Sequence, residues 1–231
     1  MATLKKGPLG DIKGKIGNLV ARTLNGKTVI SVRPLTYNKT KSKKAALARN
    51  KFKVAVKFCK YLNSIQLLKL IWRQIFPRCS NIFNKMESFN ISTSGKRTPT
   101  LQNIITPPPQ SNKFLIEPII NEIDFNRGNI TGKFINIDWH NFPSRNYDYY
   151  LIFVVLYYKP KIKKHIYFDI EHFIMHADIF SNKKKFMLKT AGINKDIFKN
   201  IIIYSAAAAF DKKNNMYYCS FTSAVGFDLS K

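Results

Sequence analysis

From Lys113 onward the chain is a succession of β-rich runs, and no other feature limits its possible folds as strongly. They read KFLIEP, NITGKFINIDW, YDYYLIFVVLYY, KKHIYFDI, KKFMLKT, FKNIIIYSAAAAF and NNMYYCSFTSAVG, with turn residues between them. Short strands at this spacing, rich in Ile, Tyr, Phe and Val, predict an antiparallel sandwich of about seven strands. With 231 residues, 45% hydrophobic and 13% aromatic, the chain has enough apolar surface for a packed core.

Ahead of the strands, Gly7, Gly10, Gly14 and Gly17 punctuate the opening segment and suit tight turns. Residues 18–24 and 27–33 have β character around Asn25-Gly26, a dipeptide whose tolerance of positive φ predicts a two-residue hairpin turn. Pro34 closes the second strand, because it has no donor for the ladder and holds Arg33 extended. Ala21, Gly26, Lys27 and Thr28 also satisfy a loose form of the phosphate-binding loop. That loop must open a helix, whereas TVISVRP is β-branched and ends in proline, so the reading is rejected.

Helical periodicity takes over from Asn38, with Thr40 or Ser42 as the cap. In KKAALARNKFKVAVKFCKYL the residues Leu47, Phe52, Val56, Cys59 and Leu62 are expected to share the buried side. SIQLLKLIWRQIF predicts a second, more apolar helix that packs through Leu67, Leu68, Ile71, Trp72 and Ile75 and stops before Pro77. Residues 79–111 gather Ser, Thr, Asn and Gly and the run Pro107 to Pro109, the composition of an extended connection. The expected fold class is therefore α+β, mainly β. A β-hairpin and two helices occupy residues 1–95, a Pro-rich connection 96–112, and a sandwich 113–231. Trp139 ends one strand just before a long apolar one, as in the immunoglobulin-like and fibronectin type III sandwiches that this arrangement resembles, so core duty is expected of it.

Charge supplies the functional hint. Thirty-nine Lys and Arg face thirteen Asp and Glu, and the first sixty residues hold sixteen of the former with Asp11 as their one acid. Such a bias attracts polyanions, nucleic acid first and acidic assemblies second. Lys, Ile, Asn and Phe are the residues that A/T-rich codons supply, so base composition is a competing source of the lysines. Only eight of the basic residues are Arg, which implies attraction to a phosphate backbone rather than sequence reading. The candidate polyanion-binding residues are Arg22, Arg33, Lys43, Lys44, Arg49, Lys51, Lys53, Lys57 and Lys60.

The motif GPLGDIKGKIGNLVARTLNGKTVISVRP, followed by a basic and then an apolar helix, resembles the bacterial domain-of-unknown-function family 6266. Gly7, Leu9, Gly10, Gly14, Lys15, Gly17, Asn18, Val20 and Arg33 stand at matching places, and INIDW, Asp148 and YYCSFTSAVG resemble its C-terminal half. Two departures are Leu24-Asn25, where an aromatic-Gly step is usual, and the early Pro34. The resemblance implies an architecture and transfers no activity, cofactor or catalytic residue. A looser likeness joins the glycine motif and basic helix to phage-derived structural proteins.

Catalytic constellations are missing from the sequence. His172 and His176 suit a metal only on a helix; on a strand, as HIYFDIEHFIMH reads, they stand about 13 Å apart. His140 and His165 have no partner pattern, and Asp138, Asp148, Asp169 and Glu171 form no paired acid motif. Cys59, Cys79 and Cys219 are odd in number and widely spaced, as expected of reduced structural thiols. No apolar run reaches the length of a signal peptide or membrane span, so a cytoplasmic location without membrane insertion is expected. No cofactor, metal or small-molecule substrate is expected. The first expectation is a non-enzymatic structural or adaptor protein that docks onto a larger assembly, or onto further copies of itself, through its basic N-terminal region. The alternative is a sequence-nonspecific nucleic-acid-binding protein, and an unrecognised enzyme ranks last.

Overall fold

A computed structural model describes residues 2–4, 13–24, 26–33, 36, 42–108, 118–126, 129–135, 147–159, 168–176, 185–190 and 198–228. The expectations for Gly7, Leu9, Gly10, Asn25, Pro34, Thr40, Pro109, residues 113–117, Asp138, Trp139, His140 and His165 lie outside them. The chain divides into two units, Met1–Ala45 and Ala46–Lys231. This division falls at 45/46 rather than within residues 96–112, because the helices share a core with the strands that follow them.

The first unit holds an antiparallel sheet of strands β1 (Ala2–Leu4), β2 (Gly14–Ile16), β3 (Leu19–Leu24) and β4 (Lys27–Val32), in the order β1-β4-β3-β2. The expected hairpin is its centre: Leu24 pairs with Lys27, and Gly26 adopts φ 74. Gly17, at φ 57 in the turn between β2 and β3, likewise takes a conformation that a side chain would strain. The hairpin thus carries a further strand on each side.

In the second unit three helices precede the sandwich: α1 (Lys43–Ser64, its first residues in the first unit), α2 (Gln66–Ile75) and α3 (Ile82–Asn90). Ser42 caps α1, its Oγ accepting from the Ala45 amide at 3.1 Å. Asn81 caps α3, its Oδ1 accepting from the Asn84 amide at 3.3 Å. The sequence reading had no counterpart of α3, since IFNKMESFN is short and sits in a stretch whose polar residues suggest a connection.

The sandwich strands are β5 (Ile119–Asn126), β6 (Asn129–Ile135), β7 (Tyr147–Tyr158), β8 (Phe168–His176), β9 (Lys185–Lys189), β10 (Asn200–Asp211), β11 (Met216–Cys219) and β12 (Ser223–Asp228). One sheet runs β5-β6-β9; the other runs β11-β10-β7-β8, with β12 also on β10. All pairs are antiparallel, and the two sheets make a β-sandwich-like arrangement. β5 is an addition to the expected strands; NEIDFN is rich in residues poor in strands, and within the described sheet it pairs with β6 alone.

The central strands of the larger sheet, β7 and β10, are buried on both faces. Leu151, Phe153, Val155, Tyr157, Ile201 and Ile203 pack toward Ile120, Ile130, Phe186 and Leu188 of the smaller sheet. Ile152, Val154, Leu156, Ile202, Tyr204 and Phe210 pack toward Phe58, Leu62, Leu68, Ile71 and Trp72 of the helices. Two-sided burial is why β7 and β10 are continuous apolar runs rather than alternating ones. It also explains the weak strand formers Ala206 to Ala209: Ala206 and Ala208 face the helical core and Ala207 and Ala209 the other. Small side chains there let both outer layers approach β10, and packing overrides propensity.

Residues 91–108, expected as a connection, instead form an ordered clasp. Asn90 and Asn103 are fully buried or nearly so. Asn103 Nδ2 lies 3.0 Å from Asn90 Oδ1 and 3.0 Å from Ser94 Oγ, and Asn103 Oδ1 accepts from the Thr100 amide at 2.7 Å. Asn90 Oδ1 in turn accepts from the Ile104 amide at 2.9 Å. Thr222 Oγ1 accepts from the amides of Ile105 and Thr106, which ties the clasp to the β11–β12 segment. Side-chain amides that satisfy buried backbone groups make such a loop rigid despite its linker-like composition.

Candidate polyanion-binding surface

Helix α1 buries Val54, Ala55, Phe58, Cys59 and Leu62. This corrects the expected face: Phe52 is 49% exposed, and Leu47 and Val56 are half-buried, because the helix is rotated to bring Val54, Ala55 and Phe58 inward. By helical periodicity Arg49, Lys53 and Lys60 fall opposite the buried residues, and all three are exposed. At 1.5 Å per residue they span a ridge of about 16 Å.

The other candidates divide by position. Lys57 is committed to the fold: its Nζ donates to the Phe168 carbonyl at 2.6 Å and lies 4.2 Å from the centroid of the Phe168 ring. Burial holds its amine below the ordinary lysine range, with the Asp169 carboxylate opposing the shift. Lys51 is half-buried, with Nζ 3.5 Å from the Ser92 carbonyl. Lys43 and Lys44 are exposed in the first turn of α1, within the first unit. Arg22 is exposed on β3, and Arg33 follows β4, its amide donating to the Asn18 carbonyl at 2.7 Å.

The strand register of the first unit separates two faces. Lys15 pairs with Val20, Arg22 with Val29 and Leu24 with Lys27, which places Lys15, Arg22 and Lys27 on one face, all exposed. The other face carries Ile16, Leu19 and Val32 in a single cross-strand row, exposed to 60%, 41% and 71%. Lys15 and Lys27 were absent from the sequence-derived set. The signal existed, because once the turn is placed at Asn25-Gly26, period-two alternation puts Lys27 beside Leu24 and on the face of Arg22.

The helical layer is the most unbalanced part of the second unit. Residues 46–108 contain eleven Lys and Arg and one acid, Glu87, whereas residues 109–231 contain seventeen against eleven. Lysine itself is no denser in this stretch than in the sandwich, so the imbalance comes from the near-absence of acids rather than from a concentration of lysine. Arg73 on α2 and Arg78, Lys96 and Arg97 in the adjoining loops are exposed members of the layer that local pattern did not single out. Lys85 instead rests on aromatic rings, 4.7 Å from the centroid of Phe76 and 5.3 Å from that of Phe89.

The strand histidines have separate partners. His172 Nδ1 is 2.9 Å from the Tyr61 hydroxyl, and His176 Nε2 is 3.5 Å from an Asp148 carboxylate oxygen. Among the described residues no group of three or more His, Cys, Asp and Glu is placed to hold a metal ion, and no helix is long and apolar enough to cross a membrane. Cys59 and Cys219 are buried, with thiols pushed up to about 12 chiefly by that burial, and so are held in the unreactive protonated form. No family model and no curated protein matches the chain.

Replacing Lys57 with Gln tests its structural role. The substitution removes a charge-assisted hydrogen bond and a cation–π contact, so a loss of about 1–2 kcal/mol in unfolding free energy is expected. Urea titration reads it, and an unchanged midpoint would return Lys57 to the set of free cations.

Proposed function

We propose that the protein is a non-enzymatic structural or adaptor protein that docks onto a larger assembly through its basic N-terminal region. The observation that carries this reading is the two-faced N-terminal sheet. Ile16, Leu19 and Val32 expose aliphatic surface side by side, while Lys15, Arg22 and Lys27 occupy the reverse. Adjacent aliphatic groups on a small sheet keep a continuous apolar strip in water at about 25 cal/mol per Å², and a protein partner removes that cost. The cations on the reverse favour a partner that also offers carboxylates.

Sedimentation of a native extract treated with nuclease tests the proposal. The wild-type chain is expected to travel with an assembly far heavier than its own 26.7 kDa, and a Leu19→Ser, Val32→Ser double variant to shift mostly to the monomer position. A wild-type chain that sediments as a monomer sinks the docking role. A second reading, sequence-nonspecific nucleic-acid binding through lysines, is favoured by the helical layer with its eleven cations and single carboxylate.

A further inference from the structure

Resting on the nucleic-acid reading and specifying its site, we infer that the cationic face of the N-terminal sheet, carried by Lys15 of β2, Arg22 of β3 and Lys27 of β4, binds the phosphate backbone of nucleic acid.

The strand register makes these three cations one row. Lys15 stands opposite Val20, Arg22 lies two residues further along β3, and Lys27 stands opposite Leu24, two residues further again. β2, β3 and β4 are successive neighbours in the sheet, and all three side chains are exposed. With strands about 4.8 Å apart and a rise of about 3.4 Å per residue, each step of the row is about 8 Å, so the charges follow a diagonal about 16 Å long. Within the first unit, the carboxylates that would repel a polyanion are nearly missing: residues 1–45 hold eleven Lys and Arg, and Asp11 is their one acid.

The chemistry of this face selects phosphates over the carboxylates of a protein. Among its described residues none is aromatic, and Leu24, 57% exposed, is its one strongly exposed apolar side chain. Protein interfaces centre on aromatic and aliphatic anchors and are depleted in lysine, while surfaces that hold nucleic acid are rich in cations. The aliphatic row Ile16, Leu19 and Val32 lies on the opposite face, so a protein seated there leaves the cations to a second ligand. A duplex carries one charge per about 1.7 Å of its axis, dense enough to meet all three cations at once. The width of the sheet decides the mode. Four strands put about 14 Å between the outer strand axes, more than the major groove of about 12 Å admits. The face therefore lies across the phosphates rather than against base edges, and without an aromatic ring to stack an unpaired base it reads no sequence.

The test is fluorescence anisotropy with a labelled mixed-sequence DNA duplex, titrated from about 50 to 300 mM salt. A Lys15→Gln, Arg22→Gln, Lys27→Gln variant is compared with Lys189→Gln, Lys199→Gln, Lys212→Gln, which removes equal charge from exposed positions of the sandwich. The sheet variant is expected to bind at least about 30-fold more weakly at the lowest salt and to lose about 3 from the log–log salt slope. The sandwich variant is expected to stay within about 3-fold of wild type. Single Lys15→Gln and Lys27→Gln variants, each lowering the slope by about 1, keep the result readable if the triple variant is poorly folded. Polyglutamate at equal charge concentration is expected to compete at least about 10-fold more weakly than unlabelled duplex, because its charges are less dense. Competition as strong as that of the duplex overturns phosphate as the ligand in favour of an acidic protein. Equal losses in both triple variants overturn the assigned face and leave nucleic-acid binding standing. Wild-type protein that fails to bind at about 50 mM salt overturns the nucleic-acid reading itself, and strong preference for one DNA sequence overturns the backbone mode.

Discussion

Replacing Trp72 with Ala lowers the unfolding free energy by about 3–5 kcal/mol, enough to consume much of the stability of a domain this size. Trp72 is fully buried in α2 and packs beside Phe76 and Phe89, with ring centroids 5.9 and 5.7 Å away. Its Nε1 donates to the Ile105 carbonyl at 2.8 Å, a bond that joins the helix to the clasp. Truncation leaves a cavity in the helical core and a buried carbonyl without its donor, two penalties that add. Trp72→Phe separates them, because it keeps most of the volume and deletes the donor. Guanidinium titration of the three proteins checks the order wild type, Phe, Ala; an Ala variant within about 1 kcal/mol of wild type would mean that the helices do not seal this face.

Raising the pH from 9 toward 12 destabilises the fold steeply. Burial pushes the Cys59 and Cys219 thiols from an ordinary value of 9.0 up to about 12. Burial also raises Tyr157, with the Glu171 carboxylate adding to it, and raises Tyr204 well above 10.0, with Tyr158 a lesser cause. Unfolded chains release these protons near 9 and 10, while the folded chain retains them. The folded state therefore binds more protons throughout the window, and the stability present below pH 9 falls as pH rises. Each group contributes a slope of about 1.4 kcal/mol per pH unit across its own window. Lys57 acts in the opposite sense, since its lowered amine pKa favours the folded state at high pH, but it is one group against four. Urea midpoints at pH 8, 9, 10 and 11 measure the slope, and Cys59→Ala with Cys219→Ala should flatten it. A midpoint constant from pH 9 to 11 rules out proton retention by the buried thiols and phenols.

The Trp72 prediction, and the pH prediction through Cys59, Cys219 and Tyr204, depend on a helical layer whose position the sequence concealed. NLVARTL, Asn25-Gly26 and KTVISVR predict the hairpin because alternation and turn chemistry act over a few residues. The register Leu24–Lys27 agrees with it. The continuous apolar runs of β7 and β10 also carried a readable signal of two-sided burial, but not the identity of what covers each side. The clasp was opaque for a different reason. Asn90, Ser94, Asn103 and Thr106 have the composition of an exposed loop, and only their mutual hydrogen bonds make burial tolerable.

The candidate surface divides in the same way. Net charge, the scarcity of acids near the N-terminus and the cationic side of α1 are properties of the chain itself, since residue identity and a 3.6-residue period suffice to derive them. Which lysines remain available was decided by tertiary structure alone. Lys53 and Lys57 are one helical turn apart and equivalent in local pattern, yet Lys57 meets the carbonyl of Phe168, 111 positions along the chain, and Lys53 remains exposed. A contact between distant segments exists only after the sheet has assembled beneath the helices, and no local periodicity encodes it.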